Sequence, residues 1–180
     1  MVVAIIAIMS AVGFASLQSA KSASRLKTAK REVAATIKLA QSYALQGKMQ
    51  NGATPCGYGF RFPDNDNVNY EIFYNPGPDC DKKNSGTDLT YLKKYLHYTD
   101  VGILPASQTA ESFSLKNGVT LVINASAPGN ANREIYFTVP RANIFNGVGA
   151  PYPEIQSFWF EYSGDFKMII FNPGGYVTEN

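Results

Sequence analysis

The hydrophobic pattern of the chain changes twice. Residues 1–17, MVVAIIAIMSAVGFASL, are apolar on every side, interrupted by Ser10, Gly13 and Ser16, which membrane helices tolerate. From Lys21 to Gly47 there is no proline and no internal glycine. Leu26, Ala29, Val33, Ile37, Ala40 and Ala44 recur there at spacings of three and four. That is a one-sided stripe at helical period, and Lys27, Arg31, Lys38 and Gln41 fall largely off it. No breaker separates the two patterns. They predict one helix from Met1 to about Gly47, roughly 70 Å long, with Gly47 as its C-terminal stop.

After Gly52 the period becomes two. Gly57–Phe62 (GYGFRF) and Val68–Tyr74 (VNYEIFY) predict a first hairpin, with Pro63–Asn67 as its turn. Further strands are expected at Val119–Ile123, Glu134–Val139, Ile155–Tyr162, Phe166–Phe171 and Tyr176–Thr178. Turn residues separate them at Asn117-Gly118, Pro128-Gly129, Ser163-Gly164-Asp165 and Asn172–Gly175. The helical stripe needs an apolar surface, and inward residues such as Phe158, Phe160, Ile169 and Phe171 supply one. The expected fold is α+β, a long N-terminal helix whose second half packs on an antiparallel sheet. Residues 1–20 would form a transmembrane or filament-core helix, 21–50 an amphipathic stem, and 51–180 a β-rich head.

Charge follows the same division. Residues 1–20 carry none, 21–50 carry a balance of +6, and the rest carry −4. Eleven tyrosines, eleven phenylalanines and one tryptophan suit a strand-rich head. With one histidine, His97, and two cysteines, no Cys₄, Cys₂His₂ or multi-histidine metal centre can be built within one chain. His97 has no G-x-S-x-G nucleophile to serve and reads as a surface residue. An exported hydrolase is therefore remote.

A secretory signal peptide with Gly13-Phe14-Ala15 at its cleavage site is a competing reading of the N-terminus. It lacks the usual basic start, and it has no reason to run unbroken into an amphipathic stem. The cations Lys21, Arg25, Lys27, Lys30 and Arg31 follow the apolar run directly, which on the positive-inside rule alone would hold the head in the cytoplasm.

An apolar helix, an amphipathic continuation and a β head together resemble the type IV pilin and pseudopilin superfamily. Met1-Val2-Val3-Ala4-Ile5-Ile6-Ala7-Ile8 is similar to the centre of the prepilin N-terminal methylation motif. Arg31 to Leu45, then Cys56 and Gly57–Phe62, are similar to minor pseudopilins of the GspH/FimT kind, as is the ending Met168–Gly175. The family's leader, cleavage glycine, methylated residue and glutamate would all precede Met1. Either the start lies upstream or this chain lacks the processing site.

The resemblance implies a non-enzymatic filament subunit of a type IV pilus or type II secretion system, anchored in the inner membrane with its head outside the cytoplasm. Its partners would be other pilin or pseudopilin subunits, the assembly machinery, the lipid bilayer and, with an upstream start, the prepilin peptidase. Val2, Val3, Ile5, Ile6, Ile8, Met9, Val12, Phe14 and Leu17 would anchor and assemble it. Leu26, Ala29, Val33, Ile37, Ala40 and Ala44 would hold the head. The alternative is a membrane-tethered binding or adhesin domain that does not polymerise.

Cys56 and Cys80 flank the first hairpin, and a disulfide between them would suit an extracytoplasmic head. Asp64, Asp66, Asp79, Asp81 and Asp88 are oxygen ligands of the kind Ca²⁺ takes, but Val68 and Lys83 break the EF-hand pattern. They read as turn aspartates, and no cofactor or metal is expected. Tyr91, Lys93, Lys94, Tyr95 and Tyr98 form a basic, aromatic run of the type that contacts nucleic acid. An acidic head disfavours that use. Asn124-Ala125-Ser126 fits the glycosylation sequon.

Overall fold

The computed structural model describes residues 2–63, 66–76, 107–122, 134–139, 144–146, 156–171 and 177–179, with side chains described from residue 17 onward except at 144–146, 156 and 177–179. Helix α1 runs unbroken over Val2–Gln46, 45 residues. It ends because Gly47 turns left-handed at φ 58°. The Gly47 N–H then donates to the Ala44 carbonyl at 3.2 Å, and the Lys48 N–H to that of Tyr43 at 3.0 Å. This pair of bonds is a Schellman cap, which satisfies two carbonyls the helix would otherwise leave open.

Among the described residues nine strands follow. β1 (Gly57–Arg61), β2 (Asn69–Tyr74), β3 (Gln108–Ser114), β5 (Glu134–Thr138) and β6 (Ile144–Asn146) make an antiparallel sheet in the order β3-β2-β1-β5-β6. β4 (Thr120–Val122), β7 (Gln156–Tyr162), β8 (Asp165–Phe171) and β9 (Val177–Glu179) make a second, in the order β4-β7-β8-β9. Among the described residues the head thus contains two sheets where the pattern suggested one. Two strands, β3 and β6, were not expected. QTAESFS in β3 is an exposed edge strand with a bulge where its register on β2 shifts, so it shows no alternation of apolar and polar residues.

The division into sheets falls at Asn117-Gly118. Both residues have positive φ, 60° and 76°, as a two-residue primed turn requires. The strands on either side do not pair with each other. β3 pairs with β2 and β4 with β7, so this turn hands the chain from one sheet to the other. The same backbone at Ser163-Gly164, φ 52° and 82°, does close a hairpin, with Tyr162 opposite Asp165.

The core lies between the helix and both sheets. Phe60 of β1 meets Phe158 of β7 edge to face at 5.7 Å, and Phe137 of β5 meets Phe171 of β8 at 6.1 Å. These ring pairs join the sheets beneath α1, whose contacts include β1 and β5 of one sheet and β7 and β8 of the other.

The five-stranded sheet is also buried on its far side. There Phe73 and Tyr136 stack at 6.1 Å, and β1 makes room for them with glycines. A Cβ on Gly59 would stand 2.3 Å from the Phe73 ring and 2.8 Å from the Ile135 carbonyl oxygen. Gly59→Ala is therefore expected to cost about 2–3 kcal/mol by overpacking, measured by urea unfolding. A loss below ~0.5 kcal/mol would mean that the ring does not lie across this strand.

Candidate functional site

The site with functional content is the helix and the surface that receives it. Leu26, Ala29, Val33, Ile37, Ala40 and Ala44 are all buried, Val33 and Ile37 completely. Lys27, Arg31 and Lys38 are exposed on the other side. The three alanines let the axis approach the sheets, and large rings fill the opposing surface, among them Tyr58, Phe60, Phe137 and Phe158. Sequence reasoning missed Ser22, Lys30, Ala34 and Thr36, which are buried too. Thr36 is satisfied locally, its hydroxyl donating to the Glu32 carbonyl one turn back at 3.0 Å. The spacing i, i+3, i+4, i+7 contained this signal, since residues 30, 34 and 37 continue the same face.

The C-terminal end of the helix is tied to the head by polar contacts. Tyr43 donates to Glu111 Oε1 at 2.6 Å, and Tyr58 to the Lys48 carbonyl at 2.6 Å. Lys48 Nζ lies 3.3 Å from Glu111 and 3.5 Å from the Tyr43 ring centroid. Burial pulls the Lys48 ammonium down, but its hydrogen bonds and attraction to Tyr43 and Glu111 outweigh that and hold it above its usual value.

At the other end residues 17–21 are exposed without exception, and burial on the head is first seen, among the described side chains, at Ser22. Five consecutive helical positions sample every direction around the axis, so no side of the helix is covered there. Val2, Val3, Ile5, Ile6, Ile8, Met9, Val12 and Phe14 belong to α1, and their side chains lie outside the described residues. Leu17 is exposed. Among the residues whose side chains are described, no helical segment is long and apolar enough to cross a membrane.

Where α1 leaves the head, Ser22 donates to Asp165, and Arg25 donates through Nη1 to the Tyr162 hydroxyl and, at 3.4 Å, to the Asn117 carbonyl. The Arg25 guanidinium also lies over the Tyr162 ring, 4.9 Å from its centroid. The helix is thus bonded at this point to the β7–β8 turn and to the turn between the sheets.

The outer faces of the two sheets differ. On the five-stranded sheet Arg61 Nε lies 2.5 Å from Glu71 Oε1, with Glu134 4.0 Å from Nη1. Thr109 donates to Glu71 Oε2 at 2.7 Å and Arg61 Nη1 to Ser107 at 2.9 Å. On the four-stranded sheet Trp159 and Phe166 are 39% and 51% exposed, with half-buried Val122, Met168 and Ile170 beside them. An apolar face of this composition is the kind that meets a partner.

Burial raises the phenols of Tyr58, Tyr70 and Tyr136 above the usual tyrosine value, Tyr136 the most. Unfolded tyrosines titrate near 10. The contribution of these neutral phenols is therefore complete below about pH 10 and is lost as pH rises further, by up to about 1.4 kcal/mol per unit for each group. Urea unfolding from pH 8 to 11.5 should show this fall, and Tyr136→Phe should make it shallower. An unchanged slope would contradict the assignment.

Cys56 is buried and disulfide-bonded, and the chain has one other cysteine, Cys80, which lies outside the described residues. So do His97, Asp64, Asp79, Asp81, Asp88, the run from Tyr91 to Tyr98 and Asn124–Ser126. Asp66 is described and acts as a turn residue. Its carboxylate accepts from the Val68 and Asn69 backbone N–H groups at 2.9 and 2.8 Å and from Asn69 Nδ2 at 2.7 Å. Among the described residues no three potential metal ligands converge. No family model, no curated protein and no solved structure matches the chain.

Proposed function

We propose that this protein is a non-enzymatic structural subunit of a membrane-derived helical filament. In our reading it is a pilin or minor pseudopilin of a type IV pilus or type II secretion system. The observation that supports this is the division of labour along one unbroken helix. Residues 22–44 bury a stripe on the head, residues 17–21 are bare on every side, and the run before them is apolar all round. A helix of that kind rests in a bilayer and can exchange lipid for the apolar helices of neighbouring subunits. Such contacts are head-to-tail and propagate instead of closing. The subunit would reside in the inner membrane with its head outside the cytoplasm, where the disulfide of Cys56 is stable.

Intact-mass and N-terminal peptide mass spectrometry on protein from its native membrane tests this reading. An N-methylated residue upstream of Met1 is expected, the product of a prepilin peptidase. A native terminus at Met1, or cleavage near Ala15, would count against it. A second reading has its own support in the exposed Trp159 and Phe166 face. That face would let a tethered, non-polymerising domain hold a partner.

A further inference from the structure

A cleft of about 480 Å³ opens where α1 leaves the head, walled by Lys21, Ser22 and Arg25 on the helix and by Tyr162, Ser163 and Asp165 at the β7–β8 turn. We infer that this cleft holds the phosphodiester headgroup of an anionic glycerophospholipid. The inference rests on the reading that the apolar run lies in a bilayer.

Position carries the first part of the argument. Lys21 is four residues beyond Leu17, the last residue of the apolar run, and so about 6 Å further along the axis. The polar layer on each side of a bilayer is about 5–7 Å deep. With residues 1–17 in hydrocarbon, the mouth of the cleft stands at the level of the lipid phosphates.

Charge carries the second. Lys21, Arg25 and Asp165 line the cleft together, a formal balance of +1, and the hydroxyl of Ser163 lines it too. A phosphodiester carries one negative charge and accepts hydrogen bonds from ammonium, guanidinium and hydroxyl groups. Arg25 is pre-oriented: its bonds to Tyr162 and Asn117 go through Nη1, and a guanidinium has further N–H donors in the same plane. Lys21 is exposed and makes no ion pair among the described residues. Asp165 already accepts from Ser22 and repels a second negative charge, so a singly charged diester suits the cleft better than a phosphate dianion. Exposed Lys27 and Lys116 add to the positive field at this end of the head.

The test uses the full chain in detergent micelles supplied with equal phosphatidylglycerol and phosphatidylcholine, with native mass spectrometry counting the lipids retained. Phosphatidylglycerol should be retained preferentially. Lys21→Ala should lower that preference about fivefold, whereas Lys38→Ala, which removes an equal charge from the helix far from the cleft, should leave it unchanged. Equal effects of the two substitutions, or no preference, would overturn the inference. Loss of the lipid to excess inorganic phosphate, with phosphate bound in its place, would also overturn it in favour of a free-anion site. Flotation with pure phosphatidylcholine vesicles is the separate check on the anchor. A chain that floats but shows no Lys21 dependence loses only the cleft. A chain that does not float loses the anchor, and the cleft with it.

Discussion

Replacing Ile37 with aspartate will abolish cooperative folding of the head, and the same replacement at Lys38, one residue along, will not. Ile37 is completely buried in the centre of the stripe, whereas Lys38 is exposed. Both substitutions put the same residue into the same helix, so helix propensity cancels in the comparison. At position 37 the carboxylate has no partner among the apolar side chains of the core, and its burial together with the lost packing costs more than about 5 kcal/mol. That is comparable to the whole stability of a domain, about 5–15 kcal/mol. At position 38 the cost is about 1 kcal/mol or less. Thermal unfolding followed by circular dichroism separates the two outcomes. Similar melting curves for the two variants would mean that the helix does not dock through this face.

The second large effect is expected on the far side of the five-stranded sheet. Arg61 and Glu71 keep only 10% and 12% of their side-chain surface in contact with solvent, so a charge left alone there stays dehydrated. Glu71→Ala should cost about 3–5 kcal/mol. Glu134, 4.0 Å from the guanidinium, places the value in the lower part of that range. Glu71→Gln keeps an acceptor for Arg61 and Thr109 and should cost about 1–2 kcal/mol. The double change Arg61→Met with Glu71→Leu should recover most of the loss, because neither partner is then left charged and unpaired. Urea unfolding of the original protein, Arg61→Met, Glu71→Leu and the double variant closes the cycle. An additive double variant would show that the two side chains do not act on each other.

The parts of this fold that the sequence disclosed are those specified by local rules. Stripe, cap and first hairpin follow from the spacing of Leu26 to Ala44, the left-handed Gly47 and the alternation of Tyr58 and Phe60 with Gly57 and Gly59. What stayed hidden depends on residues distant along the chain. The edge strand Gln108–Ser114 gains its conformation from pairing with β2 and carries no pattern of its own. Asn117-Gly118 is a strong hairpin signal, yet its flanking strands pair elsewhere, which no window of sequence around it reveals. The need for glycine at two positions of β1 is visible only once Phe73 and Tyr136 are laid across them. The cleft at the base of the head joins Ser22 to Asp165, 143 residues away. Its helical half was visible as a cluster of cations, but its floor was not.

The central claim is that the apolar half of the helix makes contacts between subunits, while the amphipathic half belongs to the head. The most direct measurement places a photo-crosslinking amino acid at Ile8 in the full chain and irradiates cells in which it is produced natively. The account predicts adducts to the apolar helix of another subunit of the same filament, identified by peptide mass spectrometry. The same probe at Lys38, on the exposed side of the stem, should give a different set. Adducts from Ile8 to lipid alone, with the protein otherwise monomeric, would contradict the account and leave a tethered head that never assembles.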